Sequence, residues 1–328
     1  MRILPLLVIV SIVVGPVRAA VAVEPQAARQ AAVQQATFSQ TATAESSPQA
    51  IQFGGRPTRV GDQTEQTISL DVRLMLTMRR ASELLGKHQS TVRTNQRRTV
   101  TTTAVDGGRA MAVTVRYPEA TKHVADGQPA VASPAPQQPG VNDVATPQPV
   151  QGKTYLCHRE PGEDGKLIVT DEWGNPPPTE EYEIVSQQME MVGRPNPLAK
   201  FLSGRTITVG EKLEVPKEIA AQIFNLGDKF GEVTQFTLTL QKTEHHGEAM
   251  RAVFLAAVEA ASSDSSQMRL QVEGPLVVHV DSCRAARIGL VGPIGMSETR
   301  GSYSTAYQVI GTGRLQLNIA SVYRESQQ

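Results

Sequence analysis

The chain predicts an α+β fold that is mainly antiparallel β: one curved, half-barrel-like sheet covered by one or two helices. Three observations carry this. Ile68, Leu70, Val72, Leu74, Leu76 and Met78 alternate with Ser69, Asp71, Arg73, Met75 and Thr77, and period-two alternation puts the first set on one face of a strand. The last hundred residues repeat short apolar runs between Gly- and Asp-bearing turns, the pattern of an antiparallel meander. Only two stretches carry a helical apolar stripe.

In chain order the first element is an export signal. Arg2 gives a positive start, and residues 3–14 (ILPLLVIVSIVV) form an apolar run of the length of a signal-peptide core, short for a stable membrane anchor. Gly15 and Pro16 break it, and Ala20-Val21-Ala22 supplies the small-x-small pattern for cleavage, with a second option after Ala19. Residues 1–22 are therefore expected to be a cleavable signal peptide and the mature chain to work in the periplasm or outside the cell. A retained membrane helix is the competing reading. No later stretch approaches the roughly 18 apolar residues of a helical span, so an integral membrane protein is not expected.

Residues 23–56 are rich in Ala, Gln, Ser and Thr and poor in large apolar side chains. Such a leader buries too little surface to offset its ordering entropy and is expected to be disordered. A single β-rich domain is expected over residues 57–325, interrupted by a disordered Pro-rich insertion at 118–150. Pro118, Pro129, Pro134, Pro136, Pro139, Pro147 and Pro149 lie in that insertion and favour extended, unpaired backbone.

Within the domain, the alternation at 68–78 gives a first strand. Residues 91–105 are Thr- and Val-rich, Asp106-Gly107-Gly108 makes a hairpin turn, and Met111, Val113 and Val115 alternate again. Three strands with one apolar face need a covering layer. After the insertion, strands are expected at 153–159 and 166–171. Thr179 caps a helix carrying Tyr182, Val185, Met189 and Val192, with Glu180 and Glu181 suiting its dipole and Gly193 and Pro195 ending it. A shorter helix opens at Pro216 and shows Ile219 and Ile223. Strands then follow at 235–242, 250–260, 268–272, 276–280, 287–291, 303–310 and 314–323.

Charge and composition remove several function classes. The chain has 32 basic and 32 acidic residues, and loss of residues 1–22 with Arg2 and Arg18 leaves 30 against 32. That balance provides no basic field for nucleic acid. Aromatics make up 4 % of the chain, too few for a base-stacking platform. Neither a Gly-x-Ser-x-Gly elbow nor a phosphate loop occurs, so no catalytic residue, metal or cofactor is assigned.

The remaining chemistry-bearing residues each have a structural reading beside the functional one. His279, Asp281 and Cys283 share one face if their strand runs straight, and they are metal-ligand types. Asp281-Ser282 is also turn chemistry, which would end the strand and turn Cys283 away. His245 and His246 sit in a polar hairpin with Glu244 and Glu248, and adjacent strand positions face opposite ways. Asp171, Glu172 and Trp173 could suggest sugar chemistry but lie beside Gly174 and three prolines. Cys157 and Cys283 either form one disulfide in an oxidising compartment or stay as two buried thiols. Spacing leaves both open, since a bridge needs α-carbons within about 7 Å.

The run Leu276 to Val280, Asp281-Ser282-Cys283-Arg284 and Ile288 to Val291, with the upstream Ile207-Thr208-Val209-Gly210-Glu211-Lys212-Leu213, resembles the strand–turn–strand grammar of an uncharacterised group of secreted bacterial β-rich proteins. That group is similar in layout to outer-membrane lipoprotein carriers of the half-barrel type, and the resemblance covers residues 200–323. It implies a curved sheet and helices enclosing an apolar hollow, and it brings no catalytic residues. The leading expectation is a non-catalytic exported envelope protein with a binding or interaction surface on its sheet, with an envelope protein or a hydrophobic ligand as partner. The alternatives are a periplasmic carrier of a lipid or lipoprotein acyl chain, with Tyr182, Met189 and Ile223 lining its cavity, and an uncharacterised hydrolase.

Overall fold

The computed structural model describes residues 49–127, 145–162, 165–224, 231–247, 249–262, 267–301 and 306–326. The expected signal peptide, residues 23–48 of the expected leader and residues 128–144 of the insertion lie outside them. The architecture is mostly antiparallel β, with a large open sheet and few helices, as expected.

Three long strands come first: β2 (Gln63–Arg80), β3 (Glu83–Asp106) and β4 (Arg109–Gly127), after a short β1 (Ala50–Gln52). Ile68, Leu70, Val72, Leu74 and Leu76 are all buried, as the alternation requires. Each such side chain contributes about 1.5–3 kcal/mol on leaving water. Strands β5 (Thr146–Pro147), β6 (Thr154–Arg159) and β7 (Leu167–Asp171) follow, then helices α1 (Thr179–Met189) and α2 (Pro197–Leu202). The chain continues through β8 (Thr206–Thr208), β9 (Lys212–Glu214) and α3 (Lys217–Phe224). It finishes with β10 (Glu232–His246), β11 (Ala249–Ala261), β12 (Arg269–His279), β13 (Ala285–Arg300) and β14 (Tyr307–Arg324).

The main sheet runs β7-β6-β4-β3-β2-β14-β13-β12-β11-β10-β9, with β5 attached to β4, and every pair in it is antiparallel. β14 pairs along β2 from Gln308↔Arg79 to Arg324↔Gln63, so the last strand joins the N-terminal hairpins to the C-terminal meander. β1 and β8 form a separate two-stranded sheet.

Two buried clusters lie on this sheet. The larger joins β2 and the C-terminal strands to α2 and α3, and includes Leu202, Ile223, Leu238, Leu240 and Phe254. The smaller joins β4, β6 and β7 to α1, and includes Val115, Tyr117, Tyr155, Val169 and Val185.

Several expectations need correction. Residues 49–56 are not leader: β1 pairs with β8, and Ile51 and Phe53 are buried in the larger cluster. The insertion does not begin at Pro118, because β4 continues to Gly127 and pairs with β3 beyond a register shift between Arg97 and Thr99. Pro118 falls in that shift, where the ladder loses no donor. Val150, at the far end of the expected insertion, is fully buried. The runs expected at 268–272 and 276–280 are one strand, and Arg314 to Tyr323 belongs to a strand already running from Tyr307. A third helix, α2, was not anticipated: Asn196 accepts the Leu198 amide at 3.0 Å as its cap, and Pro197 fills its first turn. Thr179 is the first residue of α1 rather than its cap, which is Pro178.

Candidate functional site

A cavity of about 540 Å³ lies beside the smaller cluster, which gives it Val113, Met189 and Val192, and is also lined by Ala199, packed against the larger one. Its volume falls within the ~300–1,000 Å³ span of small-molecule sites. The floor is sheet: Thr64 and Gln66 of β2, Arg98, Val100 and Thr102 of β3, Val113 of β4 and Tyr323 of β14. Residues 188–203, from the end of α1 into α2, give a second wall with Gln188, Met189, Met191, Val192 and Ala199. The third wall is the segment Gly55 to Thr58 with Ser282 and Arg284.

Local interactions hold each wall. The α1 end is tied by Arg159, whose Nε donates to the Val192 carbonyl at 2.5 Å and whose Nη2 donates to the Glu190 carbonyl. Gly193, at φ +80°, donates to the Ala110 carbonyl at 2.7 Å, and a Cβ there would meet Arg159 side-chain carbons at 2.7 Å. Only glycine meets both demands. The start of α1 is anchored through buried Glu181, which accepts from Lys153 Nζ and Tyr155 Oη, each at 2.6 Å. The third wall is held by backbone bonds from Gly54 to the Val280 carbonyl and from Arg56 to the Asp281 carbonyl.

A polar row crosses the floor. Ser321 of β14, Gln66 of β2 and Arg98 of β3 are register neighbours. Gln66 Nε2 donates to Ser321 Oγ at 3.0 Å, and Arg98 Nε donates to Gln66 Oε1 at 2.8 Å. Arg98 Nη1 and the Tyr117 hydroxyl both donate to Gln188 Oε1, at 2.7 and 3.1 Å. Arg98 is 3 % exposed, and burial pushes its guanidinium below its usual range. Its hydrogen-bond acceptors are neutral amides, and among the described residues no carboxylate lies within ion-pair distance of it. Burial likewise pushes the Tyr117 phenol well above its ordinary value.

The other charges at the cavity are engaged differently. Arg284 pairs with buried Asp62 at 3.2 Å and lies over the Tyr323 ring. Arg194 pairs with Glu190 at 3.3 Å, and Arg56 pairs with Glu325. Arg109 and Lys200 are exposed and have no ion pair among the described residues. Asp62 is the one carboxylate among the described lining residues.

The residues singled out from sequence are dispersed. Of Tyr182, Met189 and Ile223, Met189 lines this cavity; Tyr182 packs on the smaller cluster and Ile223 is buried in the larger. The expected three-residue lining is therefore not assembled: α3 buries Ile223 in the larger cluster, and Tyr182, on α1 with Met189, packs on the smaller cluster outside the lining. Cys157 and Cys283 are both free, the first in the smaller cluster and the second in the larger, so no disulfide joins them. The Cys283 thiol donates to the Gly54 carbonyl at 3.2 Å. Strand β12 ends at His279, whose ring meets Tyr323 edge-on at 5.5 Å, and Asp281 lies in the turn that follows. Among the described residues no three His, Cys, Asp or Glu side chains gather as a metal site. His245 and His246 are exposed at the tip of β10. Asp171 accepts the Trp173 and Asn175 amides, and Trp173 is 77 % exposed. Sequence reasoning missed Arg98: its neighbours Arg97 and Thr99 read as an ordinary solvated β ladder, and only the polar outlier in an inward register position could have flagged it.

No protein-family model matches the chain, and no curated protein matches it. Among solved structures, a lipovitellin described for its lipid–protein interactions aligns over 82 % of this chain at 11 % identity and a TM-score of 0.37. This chain spans about a quarter of that protein, 26 % of its length. A LolA-superfamily protein from Nitrosomonas europaea aligns over 79 % of this chain and 87 % of its own at 10 % identity, with a TM-score of 0.14. An acetoacetate decarboxylase-like enzyme from Sphingomonas wittichii RW1 aligns over 82 % and 94 % at 12 % identity, with a TM-score of 0.11. Similarity this weak carries over no residue role and no ligand to this chain.

Proposed function

We propose that this chain is a non-catalytic exported protein that binds a hydrophobic ligand between its sheet and its helices. One observation carries the reading: the cavity between sheet and helices, with Val100, Val113, Met189, Met191, Val192 and Ala199 among its lining. Apolar lining with a few placed polar groups is the pattern of small-ligand sites. The signal-peptide pattern of the sequence at residues 1–22 supports action in the envelope or beyond it.

Native mass spectrometry of the mature protein, purified gently and then extracted with organic solvent, tests this. A bound species of lipid mass that extraction removes is expected. Met189→Asp, which puts a carboxylate on the apolar wall, is expected to abolish that species while far-UV circular dichroism stays unchanged. A bare polypeptide that also fails to take up dodecanol overturns the reading.

A further inference from the structure

We propose that the cavity selects an oxyanion-headed amphiphile, with the carboxylate or phosphate paired to Arg98 and the alkyl chain laid along Val113, Met189 and Val192. This rests on the ligand-binding reading above and adds the head-group chemistry. Charge satisfaction at Arg98 points to such a head group. A buried cation is retained at a cost unless an anion compensates it. Arg98 is 3 % exposed and donates to the amide oxygens of Gln66 and Gln188, at 2.8 and 2.7 Å, beside the Tyr117 hydroxyl, and none of these partners carries a carboxylate. Those two bonds use Nε and Nη1 and fix the guanidinium plane, leaving donors on a side chain that lines the cavity. A planar guanidinium with free donors matches a carboxylate or phosphate in a two-point bond.

The surroundings agree in sign. Asp62, the carboxylate of the lining, is already committed to Arg284. Arg109 and Lys200 stand exposed at the cavity without ion pairs among the described residues, so the field over the opening is positive. Such a field draws an anionic head inward and disfavours a cationic one. The charge is local: the whole chain is balanced at 32 basic and 32 acidic residues.

Calorimetric titration of the intact protein with four twelve-carbon probes tests this: laurate, dodecyl phosphate, dodecanol and dodecyltrimethylammonium. Laurate, dodecyl phosphate or both are expected to bind about 10–100-fold tighter than dodecanol, the effect of a charge-assisted hydrogen bond, and the cation weaker than dodecanol. Whichever anion leads identifies the head group. Arg98→Met is expected to remove the preference while leaving dodecanol affinity within about twofold, and Arg98→Lys to keep part of it. Equal binding of anion and alcohol by the wild-type protein overturns the proposal and leaves the ligand-binding reading standing; this comparison needs no variant to fold. An anion preference that survives in a folded Arg98→Met also overturns it. Failure of all four probes overturns the ligand-binding reading and this inference together.

Discussion

Two buried charges in this protein are handled in opposite ways. Glu181 receives a lysine and a tyrosine hydroxyl and fixes the start of α1, whereas Arg98 donates to two neutral amides beside the Tyr117 hydroxyl, with no carboxylate among these partners, and lies at a cavity. The first is an interaction completed within the fold. The second is completed by something outside it. The cysteines are a third kind of buried polar group. Cys157 and Cys283 are 1 % and 0 % exposed, and burial pushes both thiols up to about 12, with the Asp281 charge adding to the effect at Cys283. A folded-state pKa above the unfolded value means that the folded chain holds the proton more tightly. The associated stability is therefore complete below about pH 9 and declines as pH rises from there towards 12. Iodoacetamide at pH 8 is expected to leave the native protein unmodified and to label two thiols per chain in denaturant without reductant. No labelling in denaturant would mean that the two are bridged.

At the scale of elements, glycines decide how the sheet bends. Read along the sequence, Gly274 and the pair Gly311 and Gly313 mark turns between short strands. In the structure they lie inside continuous strands. A Cβ at Gly313 would stand 1.9 Å from the Arg73 carbonyl, one at Gly274 the same distance from the Gly289 carbonyl, and one at Gly292 2.0 Å from the Gln271 carbonyl. Backbones approach there more closely than any side chain allows, which is how a broad sheet curls without ending its strands. Gly313→Ala is therefore expected to destabilise the protein by about 1–3 kcal/mol through overpacking. Gly295→Ala, whose Cβ would have only the Gly311 carbonyl near it, at 3.9 Å, is expected to stay within about 0.5 kcal/mol of wild type. Urea midpoints of the two variants check this, and equal losses would refute the bend assignment.

On the scale of the whole molecule, two apolar clusters share one hydrogen-bonded sheet. The row Ser321–Gln66–Arg98 crosses that sheet, with Gln188 and Tyr117 joined to it, and members of the smaller cluster line the cavity beside it together with Ala199, packed against the larger. Because β2, β3 and β4 stay paired as neighbours in one sheet, through the register shift at Arg97 to Thr99, the clusters are expected to unfold together. Leu238→Ala in the larger and Leu167→Ala in the smaller should each cost about 2–5 kcal/mol. Under conditions where exchange reports global opening, each variant should lower amide protection equally in β11 and β6. Loss confined to the variant's own cluster would show two independent units.

Strand identity and facing were legible in the residues themselves, because alternation from Ile68 to Met78 can satisfy only one face of a pleat. So were α1 and α3, whose stripes and first-turn residues are local signals. The buried β1, the extension of β4 past Pro118 and the fusion of the C-terminal strands were decided by tertiary structure: each depends on a partner distant in sequence that turns a polar segment, a proline or a glycine into part of a ladder. The cavity belongs to the same class. Met189 could be placed on an apolar stripe from sequence alone, but Ile223 was separated from it because α3 covers the larger cluster, and Tyr182, on the same helix and cluster as Met189, lies outside the cavity lining. Arg98 became a candidate only once β2, β4 and α1 had closed around it, since a charge announces a site through the desolvation and pairing that folding imposes, and neither exists in the linear chain.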